Sequence, residues 1–387
     1  MHIVGIVAEF NPFHDGHRYL IDKIKDKYSD STLISVMSGN FVQRGEPALY
    51  DKWKRSRTAV ENGIDLVVQL PTRFSNASSY FFAYGAVEIL NALGVNTISF
   101  GSESGDLNKI LEITDVLYEN TFQLNQYAAS RAKSGISFPR ARDEFLRDRL
   151  VDSNMFSKSK SNGEFFLAAN DILGIDYILS SKKIGYDGDF FVVKRKGLEH
   201  NLSASIIRDY FYSQNPELLK SLNDKFFSIL ASKMSDVISN EFSQDTSNCE
   251  FELYNTLRKE WRKAKDIQDV ENLLVSKMHT RARVRRFLIS LIIGLDTPKD
   301  SNDCGYNVIY PLAFNKKGAS HLKKIKNISD CEIEILDGIK TNHLNLDENS
   351  KKISEDEIKA TDIYNVLMAR DLYQNCEFVM NPQYIEM

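Results

Sequence analysis

The first apolar run, HIVGIVA at 2–8, is continuous rather than alternating, which predicts a strand buried on both faces. In GHRYLIDKIKDK at 16–27, Tyr19, Leu20 and Ile24 recur at helical spacing, and TLISVM at 32–37 reads as a second strand. A helix over about 51–62, a strand at 64–70 closed by Pro71, a helix over about 79–93 and a strand at 95–100 continue the series. Strands alternating with helices predict an α/β fold with a doubly wound, Rossmann-like parallel sheet. The series resumes with a helix at 163–173, strands at 175–179 (IDYIL) and 189–194 (DFFVVK), and a helix at 203–213. The serine-rich stretch 152–162 reads as a surface loop. The alternation stops near 214 and the remainder reads as mostly helical. A division is therefore expected at about 214–222, with a sheet domain over 1–215 and a mostly helical domain over 216–387. Near the end, Ser354 with Glu357 three residues on, flanked by Ile353 and Ile358, predicts a capping box and a hydrophobic staple. They would open a helix running to about 374, with Ile363, Leu367 and Met368 on its core face.

Composition changes this picture little. The 387 residues suit two domains of roughly 100–200 residues each. Hydrophobic residues make up 42% and charged residues 26%, an ordinary globular balance. No apolar run approaches the ~20 residues that span a bilayer. The N-terminal strand pattern lacks a basic leader and a small-residue cleavage site, so no signal peptide and a cytoplasmic protein are expected. Cys249, Cys304, Cys331 and Cys376 form no C-x-x-C pair, so neither a zinc knuckle nor a disulfide framework is expected, and no metal site is assigned. The net charge of −4 gives no global sign of a nucleic-acid partner, which would depend on local basic patches.

The strongest chemical signal follows the first strand. Asn11, Pro12, Phe13, His14, Asp15, Gly16 and His17 stand between its end and the opening of a helix. In a doubly wound fold, nucleotides bind at this carboxyl edge. A helix N-terminus offers phosphate its free N–H groups and a partial positive charge. His14 and His17 add hydrogen-bond donors, and Gly16 leaves room beside the phosphates. Such a site suits attack at the α-phosphate of ATP, a reaction that needs positioning and donors rather than a protein nucleophile. Ser38, Gly39 and Asn40 follow the second strand at the same edge, with Gln43 and Arg44 beyond. This loop is a candidate for a polar ligand such as phosphate, and the Arg44 guanidinium suits a carboxylate or phosphate. Ser203 to Arg208 repeats the logic, with hydroxyls at a helix start followed by a cation.

His14-Asp15-Gly16-His17 resembles the HxGH signature of the nucleotidylyltransferase superfamily, which includes class I aminoacyl-tRNA synthetases. With GIVAEFNPFHDGH (5–17), MSGNFVQRGEPA (37–48), DLVVQLP (65–71), FGSE (100–103), NDILGIDY (170–177) and KRKG (194–197), the chain resembles the bacterial tRNA(Met) cytidine acetate ligase family. The resemblance covers the whole first domain and continues more weakly into the second. It implies that acetate attacks ATP to give acetyl-adenylate and pyrophosphate. The acetyl group then passes to N4 of the wobble cytidine of elongator tRNA(Met), without acetyl-CoA. By the same resemblance, ATP, with Mg2+ as its companion, is contacted from Val7 to Leu20. That stretch comprises Val7, Ala8, Glu9, Phe10, Asn11, Pro12, Phe13, His14, Asp15, Gly16, His17, Arg18, Tyr19 and Leu20. Gly101, Asn170 and Arg195 join them. His14, His17, Arg44 and Ser205 would carry the chemistry, and Ser38, Gly39, Asn40 and Gln43 the acyl or base substrate. Ala204 departs from the Ser/Thr-rich form of the second superfamily motif.

Residues 277–286 (KMHTRARVRR) with the following FLISLIIGL predict an amphipathic helix. Val284, Leu288, Leu291 and Leu295 form its apolar face, with His279, Arg283 and Arg286 opposite and Arg281 and Arg285 at the flanks. Arg281, Arg283, Arg285 and Arg286 are candidates to grip a tRNA backbone. Arg258, Lys259, Arg262, Lys263 and Lys265 form a second, weaker cluster. The partners expected are thus tRNA and acetate, with no membrane and no DNA. Two other readings stay open: a small-molecule adenylyltransferase of coenzyme biosynthesis, and an RNA-binding protein with a relic nucleotide site.

Overall fold

The computed structural model describes residues 2–150, 156–158, 165–195, 203–236, 248–296, 298, 308–327, 334–336, 346–368 and 376–386. Strand β1 (Ile3–Ala8) leads into helix α1 (Asp15–Lys27), β2 (Thr32–Ser38), a hairpin of β3 (Phe41–Val42) and β4 (Glu46–Pro47), and α2 (Lys52–Glu61). Then come β5 (Leu66–Leu70), the single turn α3 (Thr72–Ser75), α4 (Ser79–Ala92) and β6 (Thr97–Ser102). Helices α5 (Leu107–Glu119), α6 (Thr121–Ala132) and α7 (Phe138–Arg147) precede the hairpin of β7 (Phe156–Lys158) and β8 (Phe165–Leu167), then α8 (Ala169–Ile184) and β9 (Asp189–Lys194). Five helices follow: α9 (Ala204–Gln214), α10 (Pro216–Asp236), α11 (Asn248–Glu260), α12 (Ile267–Leu274) and α13 (Arg281–Ile293). The chain closes with β10 (Val308–Ile309), β11 (Pro311–Phe314), α14 (Lys316–Lys326), β12 (Glu334–Ile335), α15 (Glu348–Leu367), α16 (Cys376–Val379) and β13 (Gln383–Tyr384).

The main sheet has seven strands in the order β13-β11-β5-β2-β1-β6-β9. Strands β5, β2, β1, β6 and β9 are parallel, as the alternation predicts. β1 and β2 pair in step from Ile3 opposite Thr32 to Ala8 opposite Met37, so both chains leave the sheet at one edge. The continuous apolar runs follow from cover on both faces. Val87, Leu90, Ile98 and Ile178 belong to the core on one side, and Val4, Ile6, Ile21, Ile24 and Val60 to that on the other. A third core joins α10 to α13 with α15 and takes in Phe41 from β3.

The structure corrects several expectations. Residues 175–179 are not a strand but lie inside α8, and the helix expected at 163–173 begins at Ala169. A short apolar run carries no period that separates a strand from a buried helix. Gly174 lets α8 lie directly on β6, because a Cβ there would stand 2.4 Å from the Phe100 ring. Phe156–Lys158, inside the expected loop at 152–162, pairs antiparallel with Phe165–Leu167; the rest of that loop lies outside the described residues.

The chain beyond 216 is mostly helical, as expected, but it returns to the main sheet. β11 joins the main sheet antiparallel to β5, and β13 pairs parallel with β11. The helical run α10 to α13 is therefore inserted into the sheet unit rather than following it, and the division at 215/216 does not end the sheet. Strands of two to four residues carry too little alternation to register in sequence.

The last long helix also starts earlier than Ser354. Asp347 caps α15, accepting from the Asn349 and Ser350 N–H groups at 2.9 and 3.0 Å. Ser354 is buried mid-helix and donates to the Ser350 carbonyl at 2.9 Å. Ile363 and Met368 pack beside buried Leu367, and 369–374 lie outside the described residues. Glu357, far from being a cap, is only 1% exposed. It accepts hydrogen bonds from the Thr72 N–H and hydroxyl and from the Gln69 amide, clamping α15 onto the start of α3. Lys52 Nζ donates to Gln69 Oε1 at 2.7 Å and pairs with Glu377, closing the network.

Burial pushes the Glu357 carboxyl up to about 7 from its ordinary 4.5, against the pull of Lys52. Between these values the folded chain holds a proton that the unfolded chain lacks. The residue's contribution to stability therefore falls as pH rises through that window. The unfolding free energy of the wild type minus that of Glu357→Gln should shrink from pH 5 to pH 8, as read by denaturant titration. A difference that stays constant across this range would contradict the burial argument.

Candidate active site

At the end of β1 the chain turns sharply. Phe10 takes φ +45°, a left-handed conformation that costs a non-glycine residue of order 1–3 kcal/mol, and the Asn11–Pro12 bond is cis. Phe10 is fully buried, with its ring 5.4 Å from that of Phe13 and 4.9 Å from that of His17. This packing holds the turn and delivers His14 to the N-cap of α1. There His14 Nδ1 accepts the Gly16 N–H at 3.0 Å, while the His14 N–H donates to His17 Nδ1 at 3.2 Å. The HxGH segment is thus a capping box made of two imidazoles. The rings stack with centroids 3.8 Å apart.

The capping fixes the tautomers. Each Nδ1 is an acceptor, so each neutral ring carries its proton on Nε2. Both rings are held neutral. Burial lowers the His14 pKa, aided by Arg195, and pushes His17 well below its ordinary value, aided by His14 itself. Two Nε2–H donors at a helix N-terminus suit an anion and carry no charge that must be desolvated.

These rings line a cleft of about 560 Å³. Val7, Ala8, Glu9, Phe10, Asn11, His14, Gly16, His17, Tyr19 and Leu20 form one wall; Gln43, Arg44, Gly101, Asn170, Arg195 and Ser205 complete the expected set. Pro12, Phe13, Asp15 and Arg18 do not line it. Phe13 packs on Phe10 and His17, and Arg18 donates to Asn62 Oδ1 at 2.6 Å. Asn11 Oδ1 accepts the Leu49 N–H at 2.8 Å, which leaves Nδ2 buried without a partner. Arg208 donates to the Asn11 carbonyl at 2.7 Å, and Ser203 and Ser205 hydroxyls lie 2.9 Å apart at the start of α9. Glu103 caps α8, accepting from the Asn170 and Asp171 N–H groups at 3.1 and 3.2 Å. Glu103 also lies 4.0 Å from Arg195. Among the described residues, Glu9 is the single carboxylate lining the cleft. Its pKa is raised by burial and opposed by the Gln43 N–H, Arg55, Arg208 and Arg44. Among the described residues, no group of three or more His, Cys, Asp or Glu side chains is placed to hold a metal ion.

Ser38, Gly39 and Asn40 are not brought to the cleft. Ser38 and Asn40 are fully buried, and Asn40 bridges the Lys52 N–H and the Thr361 hydroxyl. The Ser38 and Gly39 carbonyls accept from Arg55. A polar loop at the right sheet edge serves the core here, because a buried guanidinium needs acceptors.

The basic helix also differs from expectation. α13 starts at Arg281, capped by Thr280, so His279 precedes it. Of the apolar face expected, Val284 and Leu288 are buried and Leu291 is half-buried, while Leu295 is buried but lies past the end of the helix at Ile293. Three of its four arginines have internal partners. Arg281 pairs with Glu271 and reaches Asn272, Arg285 pairs with Glu271 and Glu46, and Arg286 donates to the Gln43 carbonyl at 3.0 Å. The cluster ranked second, Arg258, Lys259, Arg262, Lys263 and Lys265, is exposed.

Sequence reasoning missed Ser79, Phe82, Pro139, Arg142, Leu173 and Tyr177, which also line the cleft. They come from α4, α7 and α8; Leu173 and Tyr177 fall inside the NDILGIDY segment at 170–177, while for Ser79, Phe82, Pro139 and Arg142 only the tertiary packing of these helices turns them inward.

A family model described as HIGH Nucleotidyl Transferase matches residues 1–377. The chain is 35% identical to a tRNA(Met) cytidine acetate ligase of Thermoanaerobacter sp. (strain X514), with 98% of each chain covered. It is 33% identical to that of Clostridium perfringens, with 99% of each covered. Its fold is similar to a crystal structure of Thermotoga maritima TmcAL bound with alpha-thio ATP, at TM-score 0.82 and 25% identity over 100% of both chains.

The capping geometry has a direct spectroscopic consequence. Nitrogen-detected NMR of labelled histidine should show His14 and His17 as Nε2–H tautomers at pH 7, both titrating below 6.5. A midpoint above 6.5, or an Nδ1–H tautomer at either ring, would contradict it.

Proposed function

The chain belongs to the tRNA(Met) cytidine acetate ligase family of HIGH nucleotidyl transferases, and on that premise we propose that it joins acetate to tRNA at the expense of ATP. A carboxylate oxygen of acetate attacks the α-phosphorus, the bond to the β-phosphate oxygen breaks, and pyrophosphate leaves with the electron pair. The N4 amine of the wobble cytidine of elongator tRNA(Met) then attacks the acetyl carbon. The carbon–oxygen bond to phosphate breaks, AMP leaves, and N4 gives up a proton.

One observation carries this reading: two neutral imidazoles present Nε2–H groups at the N-terminus of α1, beyond the carboxyl edge of parallel strands. Donors fixed in advance stabilise charge as it grows on the phosphate oxygens without reorganising. Arg195, Arg208, Ser205 and the unpartnered Asn11 amide add donors around the same cleft. Arg44 is the cation for acetate or phosphate. Magnesium would arrive with the triphosphate, with Glu9 as the one carboxylate there among the described residues. On this reading the work is divided. The sheet edge makes the adenylate, and the inserted helices hold the RNA through Arg283 and the exposed cations between Arg258 and Lys265. Arg281 instead ties α13 to α12, and Arg285 and Arg286 brace α13 against the 43–46 loop.

Replacing either histidine by asparagine tests this. Asparagine keeps an acceptor near the Nδ1 position for the cap and removes the Nε2–H. Acetate-dependent ATP–pyrophosphate exchange should fall roughly 10²–10³-fold in His14→Asn and in His17→Asn, the loss expected for one transition-state donor. Thermal unfolding should stay close to that of the wild type. Exchange within about threefold of wild type in a folded variant would remove the assignment.

A further inference from the structure

A second cavity, of about 720 Å³, lies between α4, α6, α7 and α8 on one side and α11 and α13 on the other. It shares Ser79, Pro139 and Arg142 with the nucleotide cleft, so the two spaces meet at one wall. The roles assigned above to the cleft do not use it.

Its polar lining is unusual. Asp176 is 7% exposed and Asn76 is 1% exposed, and both line the cavity. Asp176 Oδ2 has no hydrogen-bond partner, and neither has Asn76 Oδ1. The remaining groups of these residues are engaged. Asn76 Nδ2 donates to the Arg286 carbonyl at 2.9 Å and to Ser290 Oγ at 3.0 Å, while Ser79 bonds the Asp176 carboxylate. A buried acceptor without a donor costs about 1–3 kcal/mol, more for a charged group. Two such acceptors in one cavity wall call for a ligand that brings donors. Tyr80 and Phe81 on one side and Phe287 on the other add aromatic rings to the lining, and Arg283, Arg142 and Lys183 are its cations. Aromatic rings, paired acceptors and cations together describe a nucleobase with an exocyclic amine, attached to a phosphate chain.

We propose that this second cavity seats the acceptor base, an aminopyrimidine of RNA, with Asp176 and Asn76 accepting the hydrogens of its exocyclic amine. The proposal rests on the acetyl-transfer reading above and adds the place of the second substrate. A carboxylate accepts from the cytosine amine, whereas uracil presents a carbonyl at that position and meets repulsion. The shared wall at Ser79 and Arg142 sets the amine beside the cleft in which the adenylate forms.

Asp176→Asn tests it in the full chain, because the substitution keeps the shape and turns one acceptor into a donor. Acetate-dependent pyrophosphate exchange should stay within about twofold of wild type. Single-turnover acetyl transfer to an anticodon stem-loop should fall about 100-fold or more. The binding preference for cytidine over uridine at the acceptor position should shrink about tenfold, within the range for one lost base contact. Unchanged transfer and an unchanged preference would overturn the proposal, as would loss of exchange in parallel with transfer, which marks a structural residue. The wild-type chain gives a readout independent of the variant's folding: a stem-loop carrying 5-iodocytidine at the acceptor position should crosslink to Tyr80, Phe81 or Phe287. Crosslinks confined to other residues would overturn it equally. A wild-type chain that acetylates no RNA would instead defeat the functional reading itself.

Discussion

Arg55 is a guanidinium only 2% exposed, among the largest fully buried side chains of the molecule. It donates to the carbonyls of Tyr50, Glu9, Ser38 and Gly39. These carbonyls stand where β1 and β2 leave the sheet and where the chain enters α2. Burial pushes Arg55 down to about 10, opposed by Tyr364, Glu9 and Asp51, so it stays charged at neutral pH. A buried guanidinium whose hydrogen-bond acceptors are four backbone carbonyls is costly to disturb, since losing one leaves a buried donor unsatisfied. It therefore fixes the direction in which β1 exits. From that exit follow the left-handed Phe10, the turn through Asn11 and Pro12, and the arrival of His14 as the cap of α1.

The same edge is braced from outside by the inserted helices. Gly45, at φ +74°, lies so close to α13 that a Cβ would stand 2.4 Å from the Arg286 nitrogen. Arg285 pairs with Glu46, and Arg286 bonds the Gln43 carbonyl. Gln43 in turn donates its N–H to Glu9 at 2.8 Å. The chain of contacts runs from the helical unit through the 43–46 loop to the floor of the nucleotide cleft. A shift of α13 would have a direct mechanical path to that floor.

How much of this was legible in the sequence depended on the range of the interaction. The parallel strands were visible because each runs for five or more residues with a helix between. The histidine segment was visible because its residues lie within four positions between a strand and a helix, although their mutual capping was not read from them. What depended on distant partners was not. Glu357 reads as a capping residue, yet its acceptor role is fixed by Thr72, 285 positions away. The arginines of α13 read as a free cationic face, because nothing local places Glu46, Glu271 or Gln43 against them. The strand at 311–314 is too short to announce that the chain returns to its first sheet. Pro139 and Arg142, which close both cavities, lie in a stretch without alternation.

The central claim is that the cleft joins a carboxylate oxygen to the α-phosphorus of ATP. Acetate labelled with oxygen-18 in both carboxyl positions, turned over with unlabelled ATP and tRNA, tests it most directly. The account predicts that mass spectrometry finds one heavy oxygen in the AMP released on transfer, with unlabelled pyrophosphate. Unlabelled AMP, or ADP with label in inorganic phosphate, would contradict it, because the carboxylate would then have been activated at another phosphorus.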